Sequence, residues 1–588
     1  MTLTALFALT TLLAPAAPAA GAAPLAEDGK SPYVIVLPAA ATPPQQRGAT
    51  EIQTFVERMS GAKLPITDDA GPLPAHAILV GPTRHTPALA PGIDAATLGP
   101  EGFILRTTGP HLVILGGEPR GTLYGCTALL ESLGVRFFTP TVTRAPTTRR
   151  LAVPLLDERP HRPAFEYREA YCTEAFDKDW AARLRLNGNA HRLDTSTGGK
   201  VRYSHFVHTF DDLIPLTLFA QHPEYFALVK GKRDNGYAQR CLSNPDVLRI
   251  STETVFKWIE RDPTALIYSV SQNDCAKWCE CDPCTAIANR YGGVQSGLYL
   301  WFVNQVAQAV EARHPDKLID TLAYQFTEAA PTGIVPRPNV RVRLCPIAVC
   351  EAHPYEACTF PATVKFVEAL RAWAKITDTL YIWHYNTNFA HYLLPFPDFA
   401  EFPSSIRLYQ RSGVKGIFFE GDYAPGGGGS FAELQAYVMA NLMWGPARDD
   451  RALVREWHDG VFGPAAAAPM LEYFDLLHAQ VKPADKHFGI YAAPSKVPYL
   501  SPDIIACADV LFDRAEALAS DAAQRDAIAK ARLGLRYAKL TITPTTGDEL
   551  TRFMADVRRF KIGQLREGQP TDKWEQDYRA KHAKRPGA

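Results

Sequence analysis

Residues 265–284 read ALIYSVSQNDCAKWCECDPC. An apolar, β-prone run from Ala265 to Val270 passes directly into Ser271, Gln272, Asn273 and Asp274, and four cysteines follow within ten residues. An apolar run of this length, bounded by turn-forming residues, predicts a buried strand. A strand buried on both faces belongs to a parallel sheet, whose functional groups collect just past the strands' carboxyl ends. Asn273 and Asp274 are therefore site candidates, against the plainer reading that they cap the next turn.

Working outward from this stretch, strand-like runs alternate with helical ones from about Ala164 to Pro446. The candidate strands are FEYREAY, NAHRLD, YSHFVHTF, LIYSVSQND, IDTLAYQF, VRVRLCPI, LYIWHYN and VKGIFFEG. Eight such runs predict an α/β fold built on a (β/α)8 TIM-like barrel. Their carboxyl ends carry Arg168 and Glu169; His205 and His208; Asn273 and Asp274; Tyr324 and Gln325; His384, Tyr385 and Asn386; and Glu420 and Asp422. Carboxylates, an arginine and aromatic rings suit a sugar site. Rings stack on the apolar faces of a pyranose, charged groups grip hydroxyls, and carboxyl groups do the acid, base or nucleophilic work. Glu420 ends a very apolar strand before the Gly426 to Gly429 run and is the strongest single candidate, because a buried carboxylate needs a reason. The glycine run has no following Lys and no GxGxxG frame, so it reads as a mobile or closely packed loop over the barrel mouth, not a phosphate cradle.

Before the barrel, residues 31–155 predict a small α/β domain. Its strands are YVIVLP, AHAILVG, FILRTT and HLVILGG, and QQRGATEIQTFVERMSG forms a helix stopped by Gly61. Residues 1–22 hold an apolar core from Leu3 to Leu13 and small residues near Ala22, which reads as a signal peptide and predicts export to the periplasm or beyond. The barrel is assigned to 160–450. Residues 451–588 show a 3.6-residue periodicity that predicts a helical scaffold.

Lys plus Arg equals Asp plus Glu at 62 each, without a long run of one sign, so no nucleic-acid partner is expected and the ligand should be neutral. No run after the leader is long enough to span a membrane. Cys275, Cys279, Cys281 and Cys284 form a C-x3-C-x-C-x2-C cluster. Disulfides, free thiols and zinc all remain open for it, with export favouring disulfides. In each case the cluster supports the loop that carries Asp274. No metal site or cofactor is assigned.

Two resemblances refine this reading. Gly121, Leu123, Tyr124 and Gly125, then Leu130, Glu131, Leu133, Gly134, Val135 and Arg136, resemble the small domain that precedes the barrel in family 20 hexosaminidases and α-glucuronidases. The phrases HTF, HPEYFALVKGKR, QRCLSNPDV, SQNDCAKWCECDPC, LAYQFTEAAP, GIFFEG and ANLMWGP resemble a bacterial family of formerly unknown function with members in glycoside hydrolase family 163, endo-β-N-acetylglucosaminidases acting on N-glycans. The resemblance implies a secreted glycosidase and leaves its substrate open. The leading reading is a retaining hydrolase of an N-acetylhexosamine linkage, assisted by the substrate's own acetamide. By analogy with family 20, Asn273 would hold the acetamide and Asp274 would be the general acid, with Glu420 as the alternative. Tyr385 would help position the acetamide, while Arg168 and Glu420 grip ring hydroxyls. His208, Tyr324, Asn386 and Asp422 complete the expected substrate site. A hydrolase of another β-glycoside or of a uronic-acid glycan, and a non-catalytic glycan-binding barrel, are the alternatives.

Overall fold

The structure, a computed structural model, describes residues 23–156 and 159–583, so the leader reading at 1–22 lies outside the described residues. The first layer is a five-stranded sheet in the order Ile66–Asp68, Val34–Leu37, Ala77–Val80, His111–Gly116, Phe103–Thr108. All neighbours are parallel except the last pair, a hairpin. The helix Pro43–Ser60 ends where Gly61 turns left-handed at φ 76° and its amide donates to Glu57 O. That conformation costs glycine little, which is why Gly61 stops the helix. Ile66–Asp68 was not anticipated because all three residues are exposed and lack an apolar face.

The second layer is a six-stranded parallel sheet, a half-barrel. Its order is Tyr167–Tyr171, Gly416–Glu420, Tyr381–Tyr385, Val340–Leu344, Leu318–Ala323, Ile267–Ser269, so the first strand in the chain lies beside the last. The strands expected over NAHRLD and YSHFVHTF are replaced by irregular chain, with a single parallel bridge between Tyr203 and Ile267. Backbone bonds still cross this gap. The amides of Asn187 and Gly188 donate to Arg168 O, that of Val201 donates to Asn187 O, and that of Ser269 donates to His205 O. The local sequence explains the loss of regular strand. Asn187, Gly188 and Asn189 favour turns, and Asn189 Oδ1 takes the Tyr203 amide that a strand partner would otherwise accept.

Side chains alternate across these strands. Tyr167, Tyr203, Tyr381 and Phe418 cluster inside the half-barrel around Arg343, which pairs with Asp320 at 3.4 Å. Gly416 lies on the same inner face. A Cβ there would stand 2.7 Å from Tyr167 Cβ and 2.9 Å from the Tyr381 ring, closer than real side chains approach. Gly416→Ala is therefore expected to destabilise the chain by about 1–3 kcal/mol, measured as a lower urea midpoint at unchanged m-value.

After residue 450 the described chain carries six helices, from Asp450–Phe462 to Thr571–His582. The helical run expected over 451–588 is interrupted after Arg559. Lys561 then turns left-handed at φ 59°, and Gln564–Arg566 pairs with Gln569–Pro570. No described helix is long and apolar enough to cross a membrane.

Candidate active site

The parallel register sets Tyr171, Glu420 and Tyr385 at one level of the sheet, at the carboxyl ends of three adjacent strands. Glu420 shares the inner face with Gly416 and Phe418, and Tyr385 shares it with Trp383 and Tyr381, so both point into the mouth of the half-barrel. A cavity of about 240 Å³ opens there. His208, Asp274, Tyr324, Tyr385 and Glu420 line it together with Leu322, Cys345, Ile347, Trp383, Phe389, Tyr491 and Glu567.

Glu420 is the most constrained of these groups. Trp383 Nε1 donates to its Oε2 at 2.8 Å. Burial pushes its carboxyl up to about 8, and the charges of Glu567 and Asp274 add to that rise against the Trp383 hydrogen bond. A carboxyl with that value is protonated at neutral pH, the state a general acid requires. Two opposite shifts follow. Removing the Glu567 charge in Glu567→Gln should lower the Glu420 value, whereas removing the Trp383 donor in Trp383→Phe should raise it. The alkaline limb of a kcat/KM profile should move down in pH for the first variant and up for the second. Equal movement in both would contradict this electrostatic assignment.

The phenols of Tyr324 and Tyr385 also line the cavity. Burial, reinforced by the Asp274 charge, pushes the Tyr324 hydroxyl up, and burial dominates a large rise at Tyr385. Both therefore stay protonated donors. His208 sits in the left-handed region at φ 58°, held by its amide on Ser271 Oγ at 2.9 Å and by its Nδ1 against Gln272 O at 2.7 Å. Such strain in a non-glycine residue persists where the surroundings fix it, commonly at functional sites.

Four expected site residues lie elsewhere. Arg168 is fully buried on the outer face of its strand, where its guanidinium makes two bonds of 2.8 and 2.9 Å to Glu101 of the first layer. The alternation that turns Tyr167 and Glu169 inward turns Arg168 away from the cavity. Asn273 is buried behind the loop, with Nδ2 donating to Asp211 Oδ1 at 2.7 Å and to Ala238 O at 2.9 Å, so it braces the loop. Asn386 is also buried. Its amide donates to Glu420 O at 3.0 Å and its carbonyl accepts from Gln435, while the side chain stays off the lining. Asp422 accepts the Ala424 amide at 3.0 Å, and burial, aided by Glu174, raises its carboxyl to about 8. The Gly426 to Gly429 run packs against Glu174 and Ile562, so of the two loop readings the close-packed one fits.

Seven lining residues were not among the predicted site residues, and of these Trp383, Tyr491 and Glu567 bring an indole N–H, a hydroxyl and a carboxyl group to the cavity. Trp383 was legible, since it is two residues from Tyr385 on the same strand face. Tyr491 and Glu567 were not, because they come from the region read as scaffold. They are seated by the loop after Tyr385. The Phe389 amide donates to Ile490 O at 2.9 Å, and the amides of Tyr392 and Glu567 donate to Leu565 O at 3.0 Å and to Phe389 O at 2.9 Å. Tyr423 Oη donates to Glu567 Oε1 at 2.6 Å and fixes the carboxylate.

The cysteine cluster also differs from expectation. Cys275 lies apart, with its Sγ accepting from Gln239 at 3.4 Å, and Cys241 joins Cys279, Cys281 and Cys284 instead. All described cysteines are unbridged.

Solved structures resemble this fold at low sequence identity. A family GH115 4-O-methyl-α-glucuronidase, BtGH115A, with specificity for decorated arabinogalactans, superposes with a TM-score of 0.58 at 13% identity, covering 93% of this chain and 78% of that one. CpGH89 from Clostridium perfringens, in complex with its substrate GlcNAc-α-1,4-galactose, gives 0.47 at 10% identity over 88% and 64% of the two chains. The GH20 β-N-acetylhexosaminidase from Streptomyces coelicolor gives 0.41 at 12% over 76% and 94%. The first shares the fold; the other two scores are too low to argue from. No curated protein matches the chain in sequence. Residues 25–129 match the family described as "Glycosyl hydrolase family 67 N-terminus". Residues 137–475, more than half of the chain, match the family described as "Domain of unknown function (DUF4838)", and the chain belongs to that family.

Proposed function

We propose that the cavity beneath Asp274, Tyr385 and Glu420 is the active site of an exported glycoside hydrolase in which Glu420 is the general acid. The observation that carries this reading is a carboxyl raised to about 8 at the mouth of a parallel half-barrel, among aromatic rings and two further carboxylates. The irregular run 187–205 would stand in for two strands of a (β/α)8 barrel. Functional groups at the carboxyl ends of parallel strands are the general rule for that architecture.

The lining favours a neutral sugar. Besides the Glu420 acid it contains the carboxyl groups of Asp274 and Glu567 and neither Lys nor Arg, so a uronic acid would meet like charge without a partner. An N-acetylhexosamine suits it better. In the scheme we propose, Asp274 accepts the acetamide N–H while Tyr324 and Tyr385 donate to sugar oxygens. The acetamide oxygen attacks the anomeric carbon as Glu420 passes its proton to the glycosidic oxygen. The C–O bond breaks, the aglycone leaves as an alcohol, and a cyclised intermediate remains. Water then opens this intermediate and gives its proton to the Glu420 carboxylate, so the configuration is retained. The acetamide role first given to Asn273 passes to Asp274, because Asn273 spends its donor on Asp211 and Ala238.

A thiazoline mimic of the cyclised intermediate tests the scheme. It should inhibit competitively, and an activated fluorosugar should leave the protein unlabelled. Covalent labelling of Asp274 or Glu567 together with no thiazoline inhibition would instead establish direct displacement by a carboxylate.

A further inference from the structure

Two clusters of soft ligands lie away from the lining of the cavity, and each joins three side chains of one short loop to a fourth from elsewhere in the chain. In the first, the thiols of Cys241, Cys279, Cys281 and Cys284 all lie within 4.8 Å of one another and all four residues are buried. Cys241 Sγ stands 3.7 Å from Cys281 Sγ and 3.9 Å from Cys284 Sγ. A disulfide brings sulfurs to about 2.05 Å. Four thiolates at about 2.3 Å from a tetrahedral Zn²⁺ stand about 3.8 Å apart. The observed separations match the second geometry.

In the other cluster, Cys350, His353, Cys358 and His487 converge in the same way. Cys350 Sγ is 3.5 Å from His353 Nδ1 and 3.3 Å from His487 Nδ1, and Cys358 Sγ is 3.9 and 3.8 Å from the same two nitrogens. A tetrahedral Zn²⁺ with two sulfurs and two imidazole nitrogens sets such edges at about 3.6 Å. His353 Nε2 lies 3.1 Å from Pro483 O. Donation to that carbonyl puts the proton on Nε2 and leaves the Nδ1 lone pair facing the thiols, the arrangement found behind metal-bound histidines. Donors also point at the sulfurs. The Leu228 amide is 3.3 Å from Cys279 Sγ and the Ala352 amide is 3.3 Å from Cys350 Sγ, while Ser243 Oγ, 3.1 Å from Cys284 Sγ, can donate to it once the sulfur is a thiolate. Hydrogen bonds of this kind stabilise thiolates.

We propose that the protein holds two structural Zn²⁺ ions, one in the all-cysteine site at Cys241, Cys279, Cys281 and Cys284 and one in the mixed site at Cys350, His353, Cys358 and His487. Protein side chains fill all four positions of each, so neither ion has an open position for substrate or water, which marks structural rather than catalytic zinc. Their placement gives them a task. The all-cysteine site anchors the loop that begins at Asp274. The mixed cysteine–histidine site pins the segment around His487, four residues before Tyr491, to the loop after the Val340–Leu344 strand. Both loops line the cavity, but the proposal stands whatever reaction occurs there. It also assigns metal where the sequence reading assigned none, and takes zinc from the three states left open for the cysteines. The Cys350-x2-His353 spacing was readable as a ligand pair, while His487 comes from more than a hundred residues away.

The test is metal analysis of the full chain, produced with zinc available and purified without chelator, together with its denatured intact mass. Two Zn²⁺ per chain are expected, with all thiols reduced in the mass. Cys284→Ser and His487→Ala should each lower the content to one. Replacement of Zn²⁺ by Co²⁺ in the wild type should give thiolate charge-transfer and tetrahedral d–d absorption, a readout that does not depend on the variants folding. Fewer than about 0.2 Zn²⁺ per wild-type chain, a mass short of two hydrogens per expected disulfide, or iron in place of zinc would overturn the proposal.

Discussion

Glu420→Gln is expected to lower kcat/KM on a natural glycan by about 10²- to 10⁴-fold, the size of a lost general acid. The loss should shrink on aryl glycosides, whose leaving groups depart without protonation. The wild-type profile should fall as pH rises through about 8, because Glu420 works only while protonated and its carboxyl loses its proton there. The variant should lack that limb. Stability separates this loss from misfolding. A carboxyl whose value is raised on folding contributes stability below its unfolded value, and that contribution is lost as pH rises through the folded one. At pH 9 the wild type therefore carries a buried charge that glutamine does not. Glu420→Gln should melt at or above the wild-type temperature at that pH, while Trp383 keeps a hydrogen-bond acceptor. A variant that is both inactive and much less stable at pH 9 would assign Glu420 to structure instead.

The largest stability effect is expected at the contact between the two sheets. Glu101, from the first layer, receives Arg168 Nη1 and Nη2, Arg120 Nε at 2.8 Å and Asn187 Nδ2 at 2.9 Å, and both Glu101 and Arg168 are buried. Burial alone would raise the Glu101 carboxyl, but the guanidinium groups of Arg168 and Arg120 hold it below its ordinary value. Glu101→Ala leaves two cations without their partner and should cost about 3–5 kcal/mol, read as a lower urea midpoint. The sign with pH is the reverse of that at Glu420. A lowered carboxyl contributes stability above its unfolded value and loses it as pH falls through the folded one. The gap between Glu101→Ala and wild type should therefore be widest near neutrality and narrow in acid. Arg168→Met should also destabilise, yet its folded fraction should keep kcat within a few-fold of wild type, because Arg168 does not reach the cavity.

Strand periodicity carried the sequence reading furthest where the segments were apolar. GIFFE and YIWHY announced buried strands, and their last residues, Glu420 and Tyr385, do meet at one level. It did not tell which polar residues are covered. In VRVRL, Val340, Val342 and Leu344 form one apolar face, yet Arg343 on the other face is also buried, beside Asp320 inside the half-barrel. Arg168 lies off the cavity for a reason of parity: it stands near the carboxyl end of its strand, but one residue of register decides whether a side chain faces the cavity or the neighbouring domain. NAHRLD, expected as a strand although it lacks apolar alternation, has an irregular backbone instead. Glu567, Tyr491 and His487 were out of reach because periodicity reports local structure only, whereas these residues arrive through contacts far apart in the chain.

The account rests on a protonated Glu420 acting on a glycan, and reducing-end release tests this most directly. Purified full-length protein and Glu420→Gln would be incubated at pH 6.5 with N-glycosylated protein, chitooligosaccharides and plant polysaccharides, and new reducing ends measured. The account predicts release by the wild type from an N-acetylhexosamine-containing substrate, with a loss of at least about a hundredfold in the variant. Equal release by both proteins, or glycan binding by the wild type with no release from any substrate, would contradict it.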